Sequence, residues 1–88
     1  PMHALLFTID DTRYAVPVDA VVQVVRAVAV TPVPGAPAAV PGVIDVRGAL
    51  VPVLDTRARF GHPPRPLAPD ERFVLARAGA RTVALRAD

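Results

Sequence analysis

The chain has 88 residues and a formal net charge of +2, which suits one small domain. It contains no cysteine, serine or lysine, so disulfide scaffolds, thiolate metal sites and nucleophiles of these three types are excluded. With 52% apolar residues a packed core is possible, while eleven prolines argue against a helix bundle and favour short strands with stiff connections.

The sequence shows no pattern of a membrane span or of a signal peptide. No apolar run reaches the roughly 18 residues that a membrane span needs. The N-terminus also lacks the charged-then-apolar pattern of a signal peptide. We therefore expect no membrane insertion and a cytoplasmic location.

The first predicted element is an antiparallel hairpin. Apolar runs within residues 4–18 flank a polar, turn-compatible segment at Asp10-Asp11. Asp19 then has the character of an N-cap, and residues 20–23 could form one helical turn. The dense valines that follow favour a strand over residues 24–30.

A stiff loop and a second hairpin form the centre of the chain. Residues 31–41 contain four prolines, and this loop is either a bare connector or a preformed docking edge. Two apolar runs follow, Val43 to Val46 and Leu50 to Leu54, which read as paired strands. Arg47 lies at their joint, beside the conformationally permissive Gly48. The hairpin tip is therefore the first candidate functional feature.

Asp45 and Arg47 are the charged residues of this otherwise apolar hairpin. They are two positions apart and so share one face of a strand. One interpretation is a surface salt bridge that stiffens the tip, worth less than about 1 kcal/mol. The other is a charged spot on an apolar contact surface that orients a partner. The residues alone weigh these two interpretations evenly.

A short helix is predicted after the central hairpin. Asp55 can cap its N-terminus and Gly61 can end it. We expect Arg57 and Arg59 to face solvent or a partner and Phe60 to be buried.

A proline-rich linker over residues 63–71 divides the chain into two parts. The first part, residues 1–62, holds both hairpins described so far. The second, residues 72–88, is a further apolar hairpin that turns at Gly79. Its side chains need cover, so we expect it to pack back on the first part or to exchange with a second copy, rather than to fray.

Catalytic chemistry has little support in this sequence. His3 and His62 have no partner by spacing, and both are expected to be solvated. The acidic pairs Asp10-Asp11 and Asp70-Glu71 are neighbours in turns, where side chains point apart. We therefore predict no enzyme, no metal site and no cofactor.

Nucleic-acid binding remains as an alternative based on charge. The isoelectric point is near 10.4, and residues 57–87 carry seven arginines against two acidic residues. The arginines are scattered, however, and that part of the chain offers only Phe60 and Phe73 for stacking. Aromatic side chains beside arginines are the usual pattern for single strands, so the composition argues against this function.

The order of motifs resembles the CheW-like domain family of bacterial chemotaxis. An apolar hairpin is followed by V-D-A-V-x-x-V from Val18, P-G-A-P from Pro34, V-I-D-V-R-G from Val43 and V-P-V-L-D from Val51. No single motif is specific, but their order and spacing cover nearly the whole chain.

The resemblance implies a mostly β fold: a small five-stranded β-barrel with one or two short helices, and an extra C-terminal hairpin like the start of the family's second lobe. It implies a non-catalytic adaptor that couples a chemoreceptor tip to the regulatory domain of a CheA-type histidine kinase. It further implies that the receptor-facing surface includes the strand around Gln23 and the hairpin tip. The implied partner-binding residues are Gln23, Gly42, Asp45, Arg47, Gly48, Val51 and Val53.

Three positions depart from the family pattern. Gln23 replaces a usual glutamate, so a charge partner for Arg47 becomes a neutral hydrogen bond. Asp45 replaces a usual asparagine and could supply the missing negative charge, and Thr56 fills a usual leucine position.

The chain also ends where the family's second lobe begins. A self-assembling half-domain without a signalling role, including a homodimer formed by strand or hairpin exchange, therefore stays open beside the adaptor and the nucleic-acid-binding barrel.

Overall fold

The computed structural model describes residues 3–88 and consists mostly of β-strands, as expected. Every predicted hairpin is formed, and the turns at Asp10-Asp11, Arg47-Gly48 and Gly79-Ala80 each contain two residues. The elements are β1 (Ala4–Ile9), β2 (Thr12–Pro17), a 3-10 turn (Val18–Ala20), β3 (Val21–Arg26), β4 (Thr31–Pro32), β5 (Gly42–Val46), β6 (Ala49–Leu54), α1 (Thr56–Arg59), β7 (Arg72–Ala78) and β8 (Arg81–Ala87).

The segment after the first hairpin differs from its prediction. The 3-10 turn has Pro17 at its N-cap position and no side-chain cap, so Asp19 is not a cap. Strand β3 begins at Val21, directly after this turn, and a helical turn over residues 20–23 does not form. The dense β-branched residues extend the chain earlier than expected because β3 pairs with β7, which the local sequence does not show.

The strands form two sheets. Strands β1 and β2 make a two-stranded sheet, and the other six follow the order β3-β7-β8-β6-β5-β4. All pairs are antiparallel except β6 with β8, which are parallel. The C-terminal hairpin β7–β8 thus lies in the centre of the larger sheet, packed back on the earlier strands. The boundary predicted at residues 63–71 therefore does not separate two sheets.

The six-stranded sheet is strongly curled. Its two edge strands, β3 and β4, are joined by residues 27–30 alone. Five backbone steps span at most about 18 Å, whereas the edges of a flat six-stranded sheet would lie about 24 Å apart. Ala27 and Val30 of this link pack against the core. Within residues 3–88 no ladder of hydrogen bonds joins β3 to β4, and side chains cover the gap between these two edge strands. The predicted closed five-stranded barrel is therefore not confirmed.

The core lies inside this curl. It is built from buried residues of the four middle strands β5, β6, β7 and β8: Ile44, Val51, Val53, Phe73, Leu75 and Ala84. Gly42 is buried where β4 pairs with β5, and a Cβ there would lie 2.1 Å from the carbonyl oxygen of Thr31. Only glycine allows these two backbones to approach so closely.

Helix α1 begins as predicted but faces an unexpected direction. The Asp55 carboxylate accepts hydrogen bonds from the backbone N–H of Arg57 at 3.0 Å and of Ala58 at 3.4 Å. Arg57 is buried instead of exposed, and Phe60 is 47% exposed instead of buried. The reason is that Arg57 reaches acidic residues of distant segments, while Phe60 stacks on Tyr14 at the surface with ring centroids 4.7 Å apart.

A second arginine is buried beneath the linker. Arg86 Nε donates to Glu71 Oε1 at 2.6 Å, and its Nη2 donates to the carbonyl oxygens of Arg65 and Pro66. Glu71 also accepts from the Ala68 N–H at 2.6 Å. Contrary to expectation, Glu71 is therefore not solvated, because the linker folds over it.

No helix within residues 3–88 is long and apolar enough to cross a membrane.

Candidate functional site

The tip of the β5–β6 hairpin is a rigid, exposed turn. Arg47 and Gly48 both have positive φ angles, 53° and 87°, as a type I′ turn requires. A positive φ costs a non-glycine residue roughly 1 kcal/mol, so the surrounding contacts must stabilise it. One such contact is the hydrogen bond from the Gly48 N–H to Asp45 Oδ1, at 2.7 Å. The turn thus presents the Arg47 side chain from a fixed backbone.

The Asp45 carboxylate binds the turn backbone and not Arg47. Within residues 3–88 no ion pair of 4.0 Å or less joins Asp45 to Arg47, so the salt-bridge interpretation of the sequence is wrong. The physical reason is the turn itself. Asp45, the second-last residue of β5, accepts from the Gly48 N–H, which the two-residue turn would otherwise leave without a partner. The exposed Arg47 guanidinium has no carboxylate partner in the described part of the chain.

Gln23 lies on the edge strand β3, which does not pair directly with either strand of this hairpin. It is half-buried and pairs with Leu75. The same row continues through Ala84 and Val53 to Gly42, so four strand spacings separate Gln23 from β5. No hydrogen bond joins Gln23 to Arg47 among residues 3–88. The structure therefore separates these two predicted site residues along the hydrogen-bonded ladder and forms no hydrogen bond between them within residues 3–88.

Three other predicted site residues are internal. Val51 and Val53 are 6% and 2% exposed and belong to the core, and Gly42 is buried beside its pairing partner on β4. In this fold they hold the hairpin from inside and do not reach a partner. The exposed neighbour is Leu50, which lies opposite Asp45 and is 70% exposed. The continuous apolar run gave no sign of which alternate residues face outward, so sequence reasoning missed Leu50.

A second polar cluster joins the N-terminal hairpin to α1. Arg57 donates to both carboxylate oxygens of Asp10, at 3.0 and 3.1 Å. His62 lies 3.4 Å from Asp10 through Nδ1 and 2.6 Å from the Tyr14 hydroxyl through Nε2. His62 is thus not the solvated histidine that the sequence predicted. No pattern in the sequence indicates these contacts, because their partners are 47 or more residues apart.

The contacts of the two buried arginines shift the pKa values of Asp10, Glu71 and Arg86. The hydrogen bond from Arg57, followed by its charge and by His62, holds the pKa of Asp10 below its ordinary value. For Glu71, burial alone would raise the pKa, but hydrogen bonds from Arg86 and the Ala68 N–H outweigh it and the pKa is lowered. The same bond to Glu71 raises the pKa of Arg86. Both arginines therefore act as fixed internal cations that fasten segments together.

Comparison with known proteins gives one consistent family. The CheW-like domain family matches residues 3–88. The chemotaxis protein CheW of Rhizobium meliloti (strain 1021) is 33% identical over 84 residues, which are 96% of this chain and 54% of that protein. The chemotaxis protein CheW of Helicobacter pylori is 32% identical over 71 residues, covering 81% of this chain and 43% of that protein.

The fold has a close structural counterpart. The crystal structure of the scaffolding protein TtCheW from Thermoanaerobacter tengcongensis superposes with a TM-score of 0.91 at 28% identity. The match covers 100% of this chain and 60% of that one. Protein FrzA of Myxococcus xanthus, 32% identical, is matched over 93% of this chain and 51% of its own length. The chain thus spans about half the length of the curated relatives it matches.

Proposed function

Because the chain belongs to the CheW-like domain family, we propose that it is a scaffold domain of chemotaxis-type signalling that couples a chemoreceptor to a CheA-type histidine kinase. The proteins of this family are non-catalytic scaffold adaptors, which agrees with the expectation that the chain is not an enzyme. The proposed mechanism is geometric: the domain holds two partners in a fixed relation, and no covalent bond is made or broken. The proposed partners are a receptor cytoplasmic tip and the kinase regulatory domain, and the proposed location is the cytoplasm.

The observation that carries this proposal is the Arg47-Gly48 turn. It presents a charged side chain from a backbone that Asp45 already holds in place, so little backbone conformational entropy is lost on binding. Leu50 adds an exposed apolar side chain on the adjoining strand. Arginine is one of the residue types that are enriched at the energetic centres of protein interfaces.

Gln23 has a smaller part in this proposal. It is neutral and half-buried on β3, so it can offer a partner one side-chain hydrogen bond and no charge. We assign it to the receptor-facing surface, as the family resemblance implies, at a different point of the sheet from the turn. Arg47 is then expected to contribute more to affinity than Gln23.

The nucleic-acid alternative gains no support from the distribution of charge. Arg57 and Arg86 are 3% and 7% exposed and bind carboxylates inside the fold. The arginine excess after Asp55 therefore overstates the basic surface that phosphates could reach. Weak, salt-insensitive binding to single-stranded DNA at 50 and 200 mM salt is expected.

The test replaces Arg47 with asparagine. Asn-Gly is the favoured sequence of a type I′ turn, so Arg47→Asn removes the charge while keeping or improving the fold. Binding would be measured by calorimetry to the purified regulatory domain of a CheA-type kinase and to a receptor cytoplasmic fragment. We expect Arg47→Asn to weaken at least one of these interactions about tenfold or more, as is usual for an interface arginine.

The matched control is Arg81→Asn, which removes an exposed arginine at the β7–β8 turn. It is expected to leave both affinities within about twofold of the unaltered protein, because a surface charge away from an interface contributes little. The proposal fails if the unaltered domain binds neither partner, or if the two variants bind them equally well.

A further inference from the structure

The linker over residues 63–69 has a sequence that restricts its own backbone. Four of these seven residues are proline. Each proline fixes its φ angle at about −65° and directs the preceding residue to an extended conformation. Residues 62–68 form neither helix nor strand in the structure. The sequence therefore favours a polyproline II helix, an extended left-handed helix without internal hydrogen bonds.

Three of the prolines share one edge of such a helix. A polyproline II helix has three residues per turn, so Pro63, Pro66 and Pro69 line the same edge at intervals of about 9 Å. All three are exposed. Leu67 and Ala68 belong to the other two edges and are half-buried, and Leu67 packs against the core. The three exposed residues Pro63, Pro66 and Pro69 are called the proline ridge below.

Two buried arginines hold this segment from its inner side. Arg57 Nε donates to the carbonyl oxygen of Pro63 at 2.9 Å. Arg86 Nη2 donates to the carbonyl oxygens of Arg65 and Pro66, at 2.7 and 3.0 Å. Both guanidinium groups also bind carboxylates inside the fold, which fixes their positions. The proline ridge is thus held in one conformation before any partner binds, so little backbone entropy is lost on binding.

We propose that the proline ridge is a docking surface for a partner protein that has a shallow groove lined by aromatic side chains. Such grooves bind Pro-x-x-Pro segments in the preformed polyproline II conformation. The linker carries two overlapping segments of this kind, at residues 63–66 and 66–69. Proline also stabilises a fold by restricting the unfolded chain. That effect explains the number of prolines but not their three-residue spacing along an exposed edge. This interface uses no residue of the Arg47-Gly48 turn and does not depend on the chemotaxis proposal.

The test uses a purified SH3 domain as the probe, because its groove is lined by aromatic side chains and binds Pro-x-x-Pro segments. The domain is titrated to millimolar concentration into the ¹⁵N-labelled protein and followed by NMR. We expect the amide signals of Arg65, Leu67 and Ala68 to shift and those of Arg47 and Gly48 to stay unchanged. The double variant Pro63→Ala/Pro66→Ala removes two rings of the ridge and should weaken binding about tenfold or more.

The matched control is Pro64→Ala, which removes an exposed proline from a different edge of the same helix. It is expected to keep the affinity within about twofold, because contacts outside the centre of an interface contribute little. The amide spectra of both variants, recorded without the probe, show that each is folded. The free peptide PPRPLAPD with blocked ends should bind the SH3 domain more weakly than the protein does, because only the protein holds the segment through Arg57 and Arg86.

Three results would overturn the proposal. The first is no shift of the linker amides at millimolar SH3 domain. The second is an equal loss of affinity in Pro64→Ala and in Pro63→Ala/Pro66→Ala, since the ridge would then have no special role. The third is a free peptide that binds as tightly as the protein, since the fold would then not prepare the segment for binding. The Arg47→Asn variant should bind the SH3 domain normally, which separates this interface from the turn.

Discussion

Arg57 of helix α1 donates two parallel hydrogen bonds to the Asp10 carboxylate, at 3.0 and 3.1 Å, across 47 residues of sequence. The same guanidinium donates through Nε to the carbonyl oxygen of Pro63 at 2.9 Å. Asp10 occupies the turn of the β1–β2 hairpin, which shares no strand ladder with the larger sheet within residues 3–88. Arg57 is therefore a principal tether between the two sheets.

Removing this tether should loosen one sheet and spare the other. In Arg57→Met the apolar stem is kept but the two bonds to Asp10 are lost. Amide hydrogen exchange in β1 and β2 is expected to accelerate about tenfold or more, because bonds to a charged group typically contribute more than one factor of ten. The exchange rates of β7 and β8 should change little. Arg59→Met, at an exposed position of the same helix, is the control, and equal acceleration by both variants would contradict a tether.

Gly42 tests how tightly β4 lies on β5. In Gly42→Ala the new Cβ would lie 2.1 Å from the Thr31 carbonyl oxygen, a backbone atom, so the two strands must separate. We expect a loss of about 3 kcal/mol, at the upper end of the range for overpacking. Gly79→Ala is the control, since nothing lies within 4 Å of its added Cβ and only the positive φ of 65° is strained, at about 1 kcal/mol. Urea denaturation of both variants gives the comparison, and a smaller loss at Gly42 would contradict this close approach.

The hairpins could be predicted from the sequence because turn chemistry is local. Gly48 and Gly79 mark tight turns between apolar runs, and Asp55 marks the start of α1. The place of β7–β8 in the centre of the sheet could not be predicted this way. Strands that are about 50 residues apart, such as β3 and β7, pair because pairing buries the apolar faces of both. The parallel pairing of β8 with β6 is likewise not encoded in the local sequence of either strand.

The candidate site shows the same limit at the level of side chains. In the run from Leu50 to Leu54 every residue is apolar, so alternation could not distinguish the exposed Leu50 from the buried Val51 and Val53. Arg57 and His62 were expected in solvent because their partners come from the other end of the chain. An arginine is buried only when its whole set of acceptors is supplied, and that set exists only in the folded structure.

The Glu71–Arg86 pair should make stability depend on acidity. Hydrogen bonds from Arg86 and Ala68 hold the pKa of Glu71 below its ordinary value of about 4.5, although burial opposes this. A carboxyl whose folded pKa is depressed contributes stability above its unfolded pKa, and this contribution disappears as the pH falls through the folded pKa. The unaltered protein should thus lose more stability from pH 5 to 3 than Glu71→Gln does. Chemical denaturation at several pH values measures this, and parallel curves would contradict it.

Replacing only one member of the Glu71–Arg86 pair should destabilise the protein more than replacing both. Arg86→Met leaves the Glu71 carboxylate buried without its cation, which typically costs about 3–5 kcal/mol. That is a large part of the total expected for a domain of this size, roughly 4–13 kcal/mol. The double variant Glu71→Met/Arg86→Met removes both charges and should recover part of the loss. Thermal unfolding of the two variants decides the question, and a double variant less stable than Arg86→Met would contradict it.

Asp45 separates the role of a charge from the role of a turn acceptor. Asp45→Asn keeps an oxygen that can accept from the Gly48 N–H, whereas Asp45→Ala removes it. We expect Asp45→Ala to lower the free energy of unfolding by about 1 kcal/mol and Asp45→Asn by much less. Because the carboxylate is engaged with the turn, binding of the receptor fragment should be nearly normal in Asp45→Asn and weakened severalfold in Asp45→Ala. Equal weakening in both variants would instead show that position 45 supplies the negative charge that Gln23 lacks. Calorimetry on both variants, with Arg47→Asn as the reference for a lost contact, distinguishes the two roles.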